Sequence, residues 1–205
     1  MIKTFTWSQI EELYFTAMHR DFPPKEIKPI SLLHRLYKNG NCIGYGYYDN
    51  STEEILQAYA IFEKPKKGNI WLLDYLAVNQ NARGKGFGSA FLREMKETLN
   101  DAVAIMGEIE RIEDAENEIQ RQIRTRRKQF YLRNGWIETG VSTIADGKVH
   151  YEIICLPISQ AVYGKEAVQA MKNIYETLFE PGMYQIFAQM HASSKKSGEF
   201  LVNFE

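Results

Sequence analysis

The chain has 205 residues, 44% of them hydrophobic and 13% aromatic, which suits one domain with an appendage and excludes a disordered chain. Its net charge of -1 argues against general nucleic-acid binding, which needs a basic balance. Two cysteines and four histidines are scattered without metal-ligand spacing, the N-terminus lacks a leader pattern, and no apolar run nears the ~20 residues that span a bilayer. The expectation is a reduced, cytoplasmic protein with no metal and no membrane span.

A short strand over Ile2–Phe5 can open the chain. "TWSQIEELYFTAMHRDF" has the spacing of a helix, capped by Thr6 or Ser8, with Ile10, Leu13, Tyr14 and Met18 on one stripe. Pro23 and Pro24 end it, and a second helix fits "KPISLLHRLYKNG". The period then changes. "CIGYGYYD" and "EILQAYAIFE" read as a hairpin across the turn-like "NSTE". "NIWLLDYLAV" follows as a strand apolar on both faces apart from Asp74, as in a covered central strand.

"SAFLREMKETLND" is helical, with Phe91, Leu92, Met95 and Leu99 on one face. "AVAIMGEIERI" reads as a strand, and "AENEIQRQIRTRRKQFYLRNG" as a long helix stopped at Asn134-Gly135. "WIETGVSTIA", "DGK" and "VHYEIICLP" form a second hairpin. Beyond Pro157, "SQAVYGKEAVQAMKNIYETLF" is an amphipathic helix, Pro181-Gly182 breaks it, and "MYQIFAQMHA" fits one more helix. The order predicts an α/β (α+β) fold: a mixed, mostly antiparallel central sheet with helices on both faces. Residues 1–157 would form the domain and 158–205 a helical extension, packed on it or on a partner subunit.

Between the third strand and its helix lies "NARGKGFGSAFL", with Gly84, Gly86 and Gly88 and the cations Arg83 and Lys85. Glycines let the backbone turn several N–H groups toward one point, and a helix N-terminus adds about half a positive charge there. That pattern alone fits a plain turn as well as a phosphate site. It is too short for GxxxxGK[ST], and its order is GxGxG rather than GxGxxG.

In context, "LAVNQNARGKGFGSAFL" resembles the acetyl-CoA-binding segment of the GCN5-related N-acetyltransferase superfamily, R/Q-x-x-G-x-G/A entered from a strand reading roughly L-x-V. Arg83, Gly86 and Gly88 match the loop, and Leu76 and Val78 match the strand. "FYLRNGW", Phe130 to Trp136, resembles the family's Y-x-x-x-G-F segment, with Trp136 in place of phenylalanine; Gln80 stands where many relatives have proline. The resemblance runs from about residue 2 to 157 and leaves the extension unexplained.

The resemblance implies acetyl-CoA as cosubstrate and direct attack by an acceptor amine, a small molecule or a peptide. The backbone amides from Arg83 to Ser89, through Gly84, Lys85, Gly86 and Gly88, would hold the pyrophosphate. The Leu76 N–H would meet the thioester carbonyl, and Val78 the pantetheine arm. Tyr131 would protonate the leaving thiolate, and Glu108 or Glu110, two residues apart on one strand, would take the amine's proton. Tyr131 also reads as a packed aromatic, and the glutamates as solvated acids. Asp74 either pairs with a polar core group or faces the acceptor. The cations Arg121, Arg124, Arg126, Arg127, Lys128 and Arg133 either meet the 3′-phosphate or form a solvated helix face. The first helices, with Asp21 and Glu26 and many tyrosines, would flank the acceptor. Two other readings stay open: a non-catalytic acyl-CoA sensor on the same scaffold, and a homodimer completed by the C-terminal helices.

Overall fold

The computed structural model describes residues 1–49, 55–145, 149–179, 188–193 and 199–201. The "NSTE" and "DGK" turns lie outside the described residues. The chain divides into two compact units, each taken by itself: residues 1–64 with 73–98, and 65–72 with 99–205.

In the first unit the sheet order is β1 (Ile2–Thr4), β2 (Cys42–Tyr48), β3 (Leu56–Glu63) and β4 (Ile70–Val78), whose first three residues belong to the second unit. β1 pairs antiparallel with β2, and β2 with β3, so the expected first hairpin is present. Helix α1 (Trp7–Leu13) starts on a capping box between Thr6 and Gln9, which settles the cap on Thr6. It continues as a π-helical turn, Tyr14–Met18, where the Thr16 hydroxyl donates to the Glu12 carbonyl (2.7 Å), and then as the short α2 (His19–Asp21). The expected stripe of Ile10, Leu13, Tyr14 and Met18 is buried. Helix α3 (Ile30–Lys38) carries His34, which stacks on Trp7 at 4.4 Å. Helix α4 (Phe87–Thr98) buries Phe91, Leu92 and Met95. Phe5 lies so close to β2 that a Cβ on Gly46 would stand 2.6 Å from its ring.

In the second unit β5 (Ala104–Glu110) pairs antiparallel with β7 (Val149–Pro157), and β7 with β6 (Ile137–Ala145). A bulge between Glu138 and Val141 carries Gly140 at φ +74°. Helix α5 (Glu118–Arg133) is capped by Asn117 and stops at Gly135, φ +85°. Helix α6 (Gly164–Leu178) packs on β6 and on β8 (Ala188–Ser193) and buries Val168, Met171, Ile174, Tyr175 and Leu178. β8 pairs with β6, and β9 (Glu199–Leu201) with β8.

The fold is thus the expected mixed α/β with a mostly antiparallel sheet and helices. Two elements differ within the expected helical extension: residues 188–192, expected to be helical, and Glu199–Leu201 are strand, and the rest of "MYQIFAQMHA" lies outside the described residues. Strand β6 offers β8 a row of backbone partners, and that pairing outweighs a short, ambiguous apolar spacing. No helix of the described residues is long and apolar enough to cross a membrane, and among them no three His, Cys, Asp or Glu side chains gather as for a metal ion.

Candidate active site

Strand β4 ends in the glycine loop. Along it, half-buried Asp74, Leu76 and Val78 alternate with buried Tyr75 and Ala77. A single 3-10 turn, Gln80–Ala82, follows, capped by the Asn79 side chain, which accepts from the Asn81 N–H (3.1 Å). The Arg83 guanidinium donates back to the Val78 carbonyl (3.2 Å), tying the loop to the strand end. Gly84 and Gly86 sit at φ +76° and +83°, where an L side chain is strained, and a Cβ on either would meet open space. The constraint on them is therefore conformational, not steric crowding.

The loop's amides divide into two sets. Those of Arg83 and Lys85 donate to the carbonyls of Gln80 (3.3 Å) and Ala82 (3.4 Å). Those of Gly84 and Gly86 have no partner among the described residues. The first intrahelical bond of α4 runs from Ala90 to the Gly86 carbonyl (3.0 Å), so the N–H groups of Phe87, Gly88 and Ser89 lie ahead of the ladder. Exposed Lys85 adds a cation beside a helix N-terminus. Such an arrangement can hold a phosphate or pyrophosphate.

Asp74 interrupts the apolar strand because it has a cation to meet. The Lys28 ammonium lies 2.5 Å from its carboxylate and 3.5 Å from that of Glu63, which is 1% exposed. Burial and the Asp74 charge raise the Glu63 pKa well above its ordinary value, so its neutral form is favoured. Neither Lys28 nor Glu63 carries a sequence signal: one lies in a loop and the other ends a strand. Near the opposite end of β3, Ala17, Arg20, Ile55, Leu56, Ala58, Tyr59 and Asn79 line a cavity of about 310 Å³. Its Arg20 is held by both oxygens of Asp21 (3.1 and 2.9 Å), and the Tyr59 hydroxyl donates to Asp21 (3.1 Å).

In the second unit, β5 carries both candidate glutamates, and they have separate partners. Glu110 pairs with Arg124 (3.0 Å) and Arg127 (3.2 Å) of α5. Glu108 accepts through Oε1 from the hydroxyls of Thr143 on β6 (3.1 Å) and Tyr175 on α6 (2.5 Å). Lys128 meets Glu138 (2.5 Å) and Glu152 (2.6 Å), so three of the basic residues of α5 are occupied by acids, while Arg121, Arg126 and Arg133 are exposed. Tyr175 and Thr143 lay beyond the reach of sequence reading, one in the unexplained extension and the other in an ordinary strand.

Tyr131 sits in the last turn of α5, its ring edge-on to Trp136 at 5.0 Å and beside Phe130 at 5.4 Å. Burial pushes its phenol up to about 12, against a smaller lowering by Arg127, so it stays protonated through the neutral range. Trp136 is buried against Gly107, where a Cβ would stand 3.0 Å from the indole, so the larger aromatic is accommodated by a missing side chain.

The match to the Acetyltransferase (GNAT) family spans residues 2–136. A putative GNAT-family acetyltransferase from Bacteroides thetaiotaomicron is similar in structure, with TM-score 0.60 and 19% identity over 87% of this chain and 95% of that one. The ribosomal-protein-S18-alanine N-acetyltransferase of Escherichia coli gives TM-score 0.53 and 18% identity over 78% and 95%. A Bacillus subtilis acetyltransferase in complex with CoA gives 0.52 and 14% over 76% and 97%. At these identities the likeness concerns the fold. No curated protein matches the chain in sequence. Because the family match runs from the first strand through the glycine loop and on to Trp136, the chain belongs to the acetyltransferase (GNAT) family.

Proposed function

We propose that this chain is an acetyl-CoA-dependent N-acetyltransferase that moves an acetyl group to a primary amine by direct attack. The observation that carries the reading is the loop after β4, with Gly84 and Gly86 at positive φ and unpaired amides opening onto the N-terminus of α4. The amides of Gly84, Gly86, Phe87, Gly88 and Ser89, with Lys85, hold the pyrophosphate. Arg83 keeps the loop in shape through its bond to Val78. The Leu76 N–H receives the thioester carbonyl as charge develops on it, and Val78 lies along the pantetheine arm.

Glu108 takes a proton from the acceptor's ammonium group, and the freed amine attacks the thioester carbon. The C–N bond forms and the C–S bond breaks. Tyr131 gives its proton to the departing sulfur and regains one from the nitrogen as the amide forms. Its raised pKa supports this role, because the donor is always charged with its proton at neutral pH. Glu110 is engaged by two arginines and is assigned no step.

Thiol release from acetyl-CoA across a panel of primary amines tests the reading. The wild type should turn over at least one amine. Tyr131→Phe should lose about a hundredfold in kcat with acetyl-CoA binding intact. Gly86→Glu, with a carboxylate set at φ +83° where the pyrophosphate belongs, should lose the thermal stabilisation that CoA confers on the wild type. Tight CoA binding without turnover on any amine would make the chain an acyl-CoA sensor instead.

A further inference from the structure

Helix α6 lies outside the residues that carry the family match, yet its Tyr175 reaches Glu108 across 67 positions of sequence. We propose that Tyr175 is a positioning residue for Glu108, so that acetyl transfer by this chain depends on its C-terminal helix. The inference rests on the reading of Glu108 as the proton acceptor.

Three observations support it. The buried face of α6 is already apolar through Val168, Met171, Ile174 and Leu178, so a phenylalanine would serve packing as well as Tyr175 does. The hydroxyl is nonetheless kept, buried, and aimed at a carboxylate. Two hydroxyls from different elements, Tyr175 of α6 and Thr143 of β6, converge on the same oxygen. Two donors on one oxygen restrict the carboxylate's rotation about its own bonds, which is what a base needs to meet a proton in one direction. Around these donors, the charge of Tyr151 of β7 also acts on the Tyr175 phenol, and Glu110, farther along β5, is engaged by Arg124 and Arg127. Burial and the neighbouring carboxylate raise the Tyr175 pKa, so it donates throughout the neutral range.

The test compares the full chain with Tyr175→Phe, Glu108→Gln and the double variant, with thermal unfolding as a check on folding. Tyr175→Phe is expected to keep its fold and its KM for acetyl-CoA. Its kcat should fall about tenfold, the worth of one hydrogen bond to a charged group. The acid limb of its pH profile should move up by about one unit, because a donor to the ionised form is lost. On the Glu108→Gln background, Tyr175→Phe should cost nothing further. A wild-type rate and profile in Tyr175→Phe, or an undiminished loss on the Gln background, would overturn the inference alone. If the wild type acetylates no amine, the transferase reading fails by itself. A ¹³C-resolved titration of the Glu108 carboxyl then decides the contact: an upward midpoint in Tyr175→Phe supports it and an unmoved one overturns it.

Discussion

Lys28, Asp74 and Glu63 put two carboxyls and one ammonium in a corner where water barely reaches. One cation is shared there by two acids, and burial favours the neutral form of the more deeply buried one, Glu63. The linkage follows. Glu63 ionises near its ordinary 4.5 in the unfolded chain and well above that in the folded one. Its contribution is fully present below pH 4.5 and is lost as pH rises toward the folded value. Glu63→Gln should therefore match the wild type near pH 4.5 and be the more stable at pH 8, with the gap in Tm widening between. A constant gap would mean that Glu63 is ionised in the folded protein. Asp74 announced itself in the sequence as a charge inside an apolar strand. Its partners did not, because a lysine in a loop and a glutamate at a strand end look the same whether buried or solvated.

Elements with a clean period were legible. The α4 stripe of Phe91, Leu92 and Met95 and the α1 stripe of Ile10 and Leu13 face the interior as their spacing implies. The glycine loop was legible for another reason: few residue types tolerate positive φ. Strand β8 was not, since its pairing with β6 supplies what its own short sequence does not specify. Packing between elements was equally hidden. Gly46 looks like a dispensable residue in "CIGYGYYD", yet it makes room for Phe5. Gly46→Ala should cost about 1–3 kcal/mol in chemical denaturation. Adding Phe5→Leu, which removes the ring, should return part of it. Equal stability of Gly46→Ala and wild type would show that the ring yields freely.

For the whole molecule, the sequence division at Pro157 has a stability consequence. A chain ending there loses α6 and the β8 partner of β6. Val168, Met171, Ile174 and Leu178 are four large buried side chains, worth about 1.5–3 kcal/mol each. Their sum rivals the roughly 5–15 kcal/mol that separates most folded domains from their unfolded chains. Residues 1–157 alone should consequently aggregate or melt without a cooperative transition, while the full chain melts cooperatively. A soluble, cooperatively folding 1–157 fragment would make the extension an accessory. The Glu108–Tyr175 contact shows why this dependence was invisible beforehand: no local pattern ties residues 67 positions apart, and only the closed fold brings them together.

The π-helical turn at Tyr14–Met18 carries a consequence for how relatives are to be aligned with this chain. A π-helical turn closes on i→i+5 bonds and so carries one inserted residue relative to an α-helical turn. Each helical residue advances about 100°, so everything after the insertion faces a different way from its counterpart in an uninterrupted helix. Arg20 on the cavity wall and Asp21 under the Tyr59 hydroxyl both follow that turn. In a relative lacking it, the same letters aligned at these positions would point elsewhere, and a gap of one in an alignment would mark a change in what the neighbouring cavity accepts.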